Sequence, residues 1–435
     1  MSRSSKLTRR QFVKGAAAVA AAPYVIPSAT RNALGAARPA PSDRITMALI
    51  GCGGMGNADM NGFLGMDDVQ VLAVCDPDES RREASRETVN RRYAEQRSDG
   101  SYNGCDAYND FRDVLARDDI DAVIQATPDH WHGLVVTHAA RAGKDIYGEK
   151  PLSLTIGQGR AMSDAVARWM RIFQTGSQQR SDNRFRFACE LVRNGRIGKV
   201  HAVTCGLPTA PSTGNHPPKD PPPGFDYDLW LGPAPRAPYC DDRTHYNFRW
   251  ILDYSGGEVT DWGAHHIDIA HWGLGLEETG PIEVEGVGEF PRDGLWNVAT
   301  DFRILARYRT GVEITITNKF ENGVKWEGED GWVFVNRGRI DAEPKSLLEE
   351  TFAPNEVRLP RSPGHRRNFI DCVMSRRDPI APIEQAHRTI TVAHLGNIAM
   401  LLGRKVRWNP DTERFVDDST AERMFDRAMR EPWRL

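Results

Sequence analysis

Three patterns along the chain predict an α/β protein built in two parts. Up to about residue 150, short apolar runs alternate with helix-compatible segments, as in a parallel sheet covered by helices. The first of those runs ends in a glycine-rich turn, Gly51-Cys52-Gly53-Gly54-Met55-Gly56. Beyond residue 280, the stretches 282–288, 302–308, 311–318 and 331–336 alternate apolar and polar residues, the mark of antiparallel strands with one open face. The first part, residues 41–175, therefore reads as a Rossmann-type domain. The second, residues 176–435, reads as an α+β domain with a largely antiparallel open sheet. An oligomer, dimer or tetramer, is expected to cover that open face.

The N-terminus precedes both. Arg9-Arg10-Gln11-Phe12-Val13-Lys14 leads into an alanine-rich run, the order of an export signal of the twin-arginine class. Residues 1–40 are read as signal and linker, and the destination as the periplasm. No run approaches the roughly 20 apolar residues that span a bilayer. Residues 1–37 carry six of the 56 Lys/Arg and none of the 59 Asp/Glu, so removing them takes the formal charge from −3 to about −9. An acidic mature chain argues against nucleic acid as a partner. The seven cysteines are scattered without CxxC spacing, which is neither a disulfide framework nor a zinc ribbon.

Glycines 51, 53 and 56 form GxGxxG between a strand (residues 44–50) and a helix-compatible segment. The first permits a tight turn, the second lets backbone approach a pyrophosphate, and the third lets helix and strand pack closely. Gly54 and Met55 would open the helix whose amides face the phosphates. Alone the motif is weak. Asp76 strengthens it, ending the buried-strand run 69–75 twenty residues after Gly56. A carboxylate there accepts from the adenosine ribose hydroxyls and repels a 2′-phosphate, so NAD is expected rather than NADP. Arg81 and Arg82 lie near enough to compete with that reading.

A third strand, residues 122–126, runs into Thr127-Pro128-Asp129-His130-Trp131-His132 and a helix closed by Gly143. The chain then enters Asp145-Ile146-Tyr147-Gly148-Glu149-Lys150-Pro151-Leu152. Parallel sheets place ligands beyond the carboxyl ends of their strands, so Lys150 stands where it can reach a reacting atom. GxGxxG, an acid ending the second strand, Thr-Pro-x-x-x-His (Thr127, Pro128, His132) and Glu-Lys-Pro (Glu149, Lys150, Pro151) occur in this order in the glucose–fructose oxidoreductase/inositol dehydrogenase/MocA (Gfo/Idh/MocA) family, which the chain resembles over residues 43–435. The closing segments resemble its exported, sugar-processing bacterial branch. The resemblance implies that Thr127, Pro128, His132 and Glu149 help hold the cofactor. It also implies a basic residue beside the substrate, for which Arg180 is the candidate.

In the second part, residues 207–224 contain seven prolines, which predicts a lid, arm or linker. The richest constellation is Glu258-Val259-Thr260-Asp261-Trp262-Gly263-Ala264-His265-His266-Ile267-Asp268. Asp261 and His265 are four apart and share a helix face, and Asp268 is placed to orient the His265 ring. Oxidising a secondary alcohol needs a base for the hydroxyl proton, and imidazole suits that near neutral pH. Lys150 would stabilise the same oxygen as it gains charge. The family's second signature, Asp-x-Gly-x-His-x-x-Asp, is similar and brings the matching Asp and His to the lysine. The histidines fit no compact metal spacing, so no metal is expected, and His266 and His271 read as structural. Arg249, Trp250 and Tyr254 are candidate substrate contacts. Together these readings predict an NAD-dependent oxidoreductase acting on a secondary hydroxyl of a sugar, glycoside or cyclitol, with a tightly bound cofactor. The alternatives are a redox-neutral NAD-dependent glycosidase or lyase and a non-catalytic sugar-binding protein.

Overall fold

The computed structural model describes residues 43–97 and 99–435. The signal read at residues 1–40 lies outside the described residues. Residues 45–435 form one compact unit containing two sheets.

The first sheet has six parallel strands: β1 (Ile45–Ile50), β2 (Val69–Cys75), β3 (Asp106–Tyr108), β4 (Ala122–Gln125), β5 (Asp145–Gly148) and β6 (Phe173–Thr175), in the order β3-β2-β1-β4-β5-β6. Strand order reverses between β1 and β4, and a crevice opens there beyond the strands' carboxyl ends. β4 and β5 are buried along their whole length, which is why neither shows a polar–apolar alternation. The helices Gly54–Leu64, Glu79–Ala94, Asp129–Arg141 and Ile156–Arg168 connect these strands.

The second sheet has nine strands: β7 (Val200–Gly206), β8 (Glu283–Glu289), β9 (Asp301–Arg307), β10 (Glu313–Thr317), β11 (Gly323–Gly328), β12 (Trp332–Val335), β13 (Ile340–Glu343), β14 (Val406–Asn409) and β15 (Arg414–Phe415). Their order is β13-β12-β11-β7-β10-β9-β8-β14-β15. All pairings in it are antiparallel except β7 with β10. One face packs on three helices: Asn183–Arg193, Glu258–Leu274 and Ile383–Leu402. The middle one is enclosed so completely that only Trp262 and Leu274 are not buried.

A buried helix must satisfy its polar side chains internally. Asp268 does so with Arg180, in a two-pronged ion pair with both contacts at 2.7 Å. His271 Nε2 meets the Tyr308 hydroxyl at 2.6 Å, and His266 Nε2 meets Asn322 Oδ1 at 2.5 Å. Gly275, in the left-handed region, closes the helix by donating its N–H to the His271 carbonyl. No helix among the described residues is long and apolar enough to cross a membrane.

Candidate active site

The crevice at the β1/β4 switch point is a cleft of about 580 Å³. It is lined by Gly51, Gly53, Gly54, Met55, Asp76, Thr127, Pro128, Glu149 and Lys150, nine of the eleven residues assigned to a cofactor from sequence. The other two, Gly56 and His132, hold its walls. A Cβ on Gly56 would come within 2.1 Å of the Gly51 carbonyl, so a side chain there would push the helix off the strand. His132 places its two ring nitrogens 2.8 Å from the carbonyls of Pro151 and Thr127, tying the two cleft-lining loops together. Gly51 sits at φ 99, and a Cβ would lie 2.4 Å from the Ala126 carbonyl, whereas Gly53 and Gly54 face open space. That cradle, at the start of the helix Gly54–Leu64, fits a pyrophosphate.

At the far end of the cleft, Asp76 Oδ2 accepts from Cys52 N (2.8 Å) and Oδ1 from Asp78 N (2.9 Å). Burial lifts its pKa to about 6 against the pull of those two amides, and the carboxylate stays fixed in direction. Arg82 turns away to the Asp76 carbonyl and Asn109. Arg81 lines the cleft and lies 3.5 Å from Asp78.

The second sheet's domain roofs this end. Glu79 N donates to Gly224 O, Asp226 N to Pro77 O and Asn109 Nδ2 to Asp226 Oδ2, each at 2.9 Å. Leu229, Trp230, His245, Tyr246 and Phe248 form the facing wall. The proline-rich stretch 207–224 carries no helix or strand and ends in this roof. The C-terminal segment braces the wall from behind. Arg430 donates to the carbonyls of Gly232 (2.8 Å) and Asp228 (2.7 Å), and the Trp433 ring meets the edge of Trp131 at 4.8 Å.

At the other end, Lys150 Nζ lies 2.8 Å from Asp261 Oδ1, and Arg249 Nε is 3.5 Å from the same oxygen. Burial alone would raise the Asp261 pKa, but the Lys150 and Arg249 charges outweigh it and hold the carboxyl below its usual value. One helical turn on, His265 is buried with Nδ1 unpartnered. Burial and then the Lys150 charge push its pKa well below 6.5, leaving the ring a free base at neutral pH. Arg337, from the β12–β13 turn, lies over the Trp262 ring at 4.6 Å, and Trp262 meets His265 at 5.7 Å. The arrangement offers a fixed cation lining the cleft, its counter-ion, and a neutral base one helical turn beyond that counter-ion. Among the described residues no three His, Cys, Asp or Glu side chains group as metal ligands.

Comparison with known proteins decides the family. Residues 45–177 match the oxidoreductase-family NAD-binding Rossmann fold, and residues 212–435 match the C-terminal alpha/beta domain of the same Gfo/Idh/MocA family. The chain belongs to the Gfo/Idh/MocA oxidoreductases. Residues 6–23 match a twin-arginine translocation signal, which indicates export by that route. Inositol 2-dehydrogenase of Rhizobium meliloti is 26% identical over 304 residues, covering 68% of this chain and 76% of that protein. A glycosyl hydrolase family 109 protein of Shewanella pealeana is 26% identical over 208 residues, covering 45% of this chain and 44% of its own length. The aldose–aldose oxidoreductase of Caulobacter crescentus, solved with glycerol, shares the fold with a TM-score of 0.60 at 20% identity, covering 84% of this chain and 99% of that one.

Within this Gfo/Idh/MocA site, several sequence expectations change. Arg180 does not reach the cleft. It is buried, its guanidinium bonded to Asp268 and Gln385 and lying over Trp272 at 5.3 Å. Asp268 is thereby committed to Arg180 and does not orient His265, because a buried carboxylate binds the cation that reaches it. Arg180→Ala would strand that carboxylate and is expected to cost ~3–5 kcal/mol of stability. Urea unfolding checks it, and undiminished stability with a raised KM would return Arg180 to the substrate.

Tyr254 is also no substrate contact. It is fully buried against His130 and Trp230, with its hydroxyl 3.3 Å from Arg243. Trp250 packs in a small core with Ala210 and Val298. Of the four substrate candidates, Arg249 alone lines the cleft.

Three acids escaped the sequence reading. Asp59 faces Glu149 and takes Arg366 at 2.7 Å, so burial and Asp59 together drive the Glu149 pKa well up. Asp129 accepts from Ser255 Oγ at 2.5 Å. Glu258 lies one turn before Asp261, buried, with Oε2 unpartnered. Asp129, which lines the cleft, and Glu258, which does not, stand inside motifs quoted from the sequence, but nothing local distinguishes a buried acid from one facing solvent.

Proposed function

We propose that this protein oxidises a secondary hydroxyl of a sugar, glycoside or cyclitol with NAD as hydride acceptor. The observation that carries it is the Lys150–Asp261 pair, with Lys150 lining the dinucleotide cleft and neutral His265 one helical turn beyond Asp261. Bound NAD supplies the acceptor for the hydride. Lys150 holds the substrate oxygen and stabilises its alkoxide character, His265 takes the hydroxyl proton, and Asp261 keeps Lys150 and Arg249 aimed. The inositol 2-dehydrogenase relative supports a cyclic polyol as substrate. We place the exported protein in the periplasm as a homo-oligomer, dimer or tetramer, with its open sheet face covered.

A second reading rests on the roof. Outside the cytoplasm a free NAD pool is not available, and a cleft closed over the adenosine end suits a cofactor restored within each turnover. Oxidation, elimination of the glycosidic substituent, hydration and reduction would do that, giving a redox-neutral glycosidase or lyase. The family 109 relative favours this reading by its name. Incubating the mature protein with methyl and 4-nitrophenyl hexosides and inositols, with and without added NAD, separates the two. Ketone formed in proportion to added NAD marks the dehydrogenase, and aglycone released without it marks the redox-neutral enzyme. Neither product from any compound overturns both.

Cofactor choice follows from Asp76. NAD(H) is expected to bind at least ~10-fold more tightly than NADP(H), about 1.4 kcal/mol. Calorimetry on stripped protein measures it, and an NADP preference would put Arg81 in charge of the ribose.

A further inference from the structure

The redox-neutral reading needs two proton-transfer groups, and His265 is one. It handles the proton of the hydroxyl being oxidised. Once that carbon is a ketone, the neighbouring C–H must also lose its proton before the glycosidic substituent can leave. A second base has to reach that C–H while His265 holds the hydroxyl proton.

Glu258 meets that requirement. Glu258, Asp261 and His265 stand at i, i+3 and i+7 of the helix Glu258–Leu274, so all three occupy one face. Asp261, in the middle, is where Lys150 Nζ docks at 2.8 Å. Glu258 is one turn to the N-terminal side of that point, ~4.5 Å along the axis, and His265 one turn to the other. The stretch of helix that carries the Lys150 counter-ion thus bears a carboxyl one turn to one side and an imidazole one turn to the other.

The Glu258 side chain is 6% exposed, and its Oε2 has no hydrogen-bond partner. A buried polar atom with no partner in a native fold needs a reason, and a substrate is one. The groups acting on it belong to the site, namely Asp261, Lys150 and Arg249. Burial first, and then repulsion from Asp261, raise its pKa to about 7, where a carboxyl both takes and returns a proton.

Resting on the redox-neutral reading, we infer that Glu258 is a further catalytic residue, the base that removes the C–H proton next to the newly formed ketone and later returns it. The chemistry fixes the position. To expel the anomeric substituent the carbonyl must be at C3, the acidified hydrogen at C2 and the broken bond at C1–O. The C3 hydroxyl proton goes to His265, and a bound NAD would accept the C3 hydride. Glu258 takes the C2 proton, the electron pair forms the C1–C2 double bond, and the departing oxygen takes the proton from His265. Water adds to C1 and gives its proton to His265, Glu258 returns a proton to C2, and hydride and the His265 proton restore the C3 alcohol. The sum is hydrolysis, with both side chains and the dinucleotide as they began.

Methyl 3-keto-α-glucopyranoside tests this step without any hydride transfer. In deuterium oxide, the mature protein should accelerate loss of the C2 proton signal and release methanol, followed by NMR. Glu258→Gln, which keeps shape and removes the base, should slow C2 exchange by roughly 10²–10⁴-fold. Glu258→Asp, with a shorter reach, should fall in between. Retained dinucleotide, measured after denaturation, reports that each variant is folded. Exchange by folded Glu258→Gln at the wild-type rate overturns the assignment while the redox-neutral reading stands. Should Glu258→Gln not fold, Glu258→Asp exchanging at the wild-type rate does the same. Wild-type protein that leaves the C2 proton of the keto sugar untouched overturns the redox-neutral reading, and the role of Glu258 with it.

Discussion

Lys150→Ala and His265→Ala are each expected to lower kcat by roughly 10²–10⁴-fold, the usual range for a group that moves or stabilises a proton in the transition state. In the proposed reaction both act where charge develops on the substrate oxygen, so dinucleotide affinity should move far less than kcat. Asp261→Asn should cost less and shift the pH optimum, because it removes the counter-ion of Lys150 but keeps its shape. The pH profile carries a sign. His265 has its pKa lowered by burial and then by the Lys150 charge. The wild-type rate should therefore fall on the acid side only well below pH 6.5. In Lys150→Ala that limb should move up toward 6.5, because the largest of the depressing charges is gone. If lysine and histidine work as one unit, the double variant should be scarcely slower than the poorer single one. Steady-state rates, pH profiles and NAD affinities on these proteins decide it. Near-native turnover in a folded single variant would place the chemistry elsewhere.

The mature protein should leave purification with its dinucleotide still bound, and release should quicken when the brace is cut. Arg430→Ala with Trp433→Ala removes bonds to the carbonyls of Gly232 and Asp228 and the ring packed on Trp131, which itself lines the cleft. Release is expected to speed up by at least ~10-fold, the equivalent of about 1.4 kcal/mol. Dissociation can be followed by the fluorescence of bound NADH on dilution into NAD. Protein that emerges free of cofactor and turns over only with millimolar NAD would sink the idea of retention and favour the plain dehydrogenase.

The sequence disclosed the parts whose signal is local. GxGxxG, the acid after β2 and the loop of Glu149 and Lys150 all lie at strand ends, where spacing along the chain is also spacing in the fold. Asp261 and His265 shared a face because a helix imposes it. Partners drawn from far away were not legible. Arg180 looked free until Asp268, 88 residues later, came to meet it. Asp268 then had nothing left for His265. Arg337 approaches Trp262 from a turn between two strands, with no motif around it. Strand β11 escaped because it offers only Val324 and Trp326 inward, between glycines, with Lys325 and Glu327 outward. The short strands β3, β13, β14 and β15 escaped because two to four residues carry too little alternation to read.

The brace behind the cleft wall has a consequence for the order of folding. Arg430 lies 198 residues along the chain from Gly232, and Trp433 reaches back to Trp131 from farther still. Contacts between segments so distant must first meet the entropy of closing a long loop, so they form after the local strand–turn–helix units. The glycine turn and Asp76 thus belong to an early-formed unit, and the steadying of Trp131 and Gly232 to a late one. A substitution at Arg430 or Trp433 leaves every signature motif of the family in place and slackens the wall opposite them.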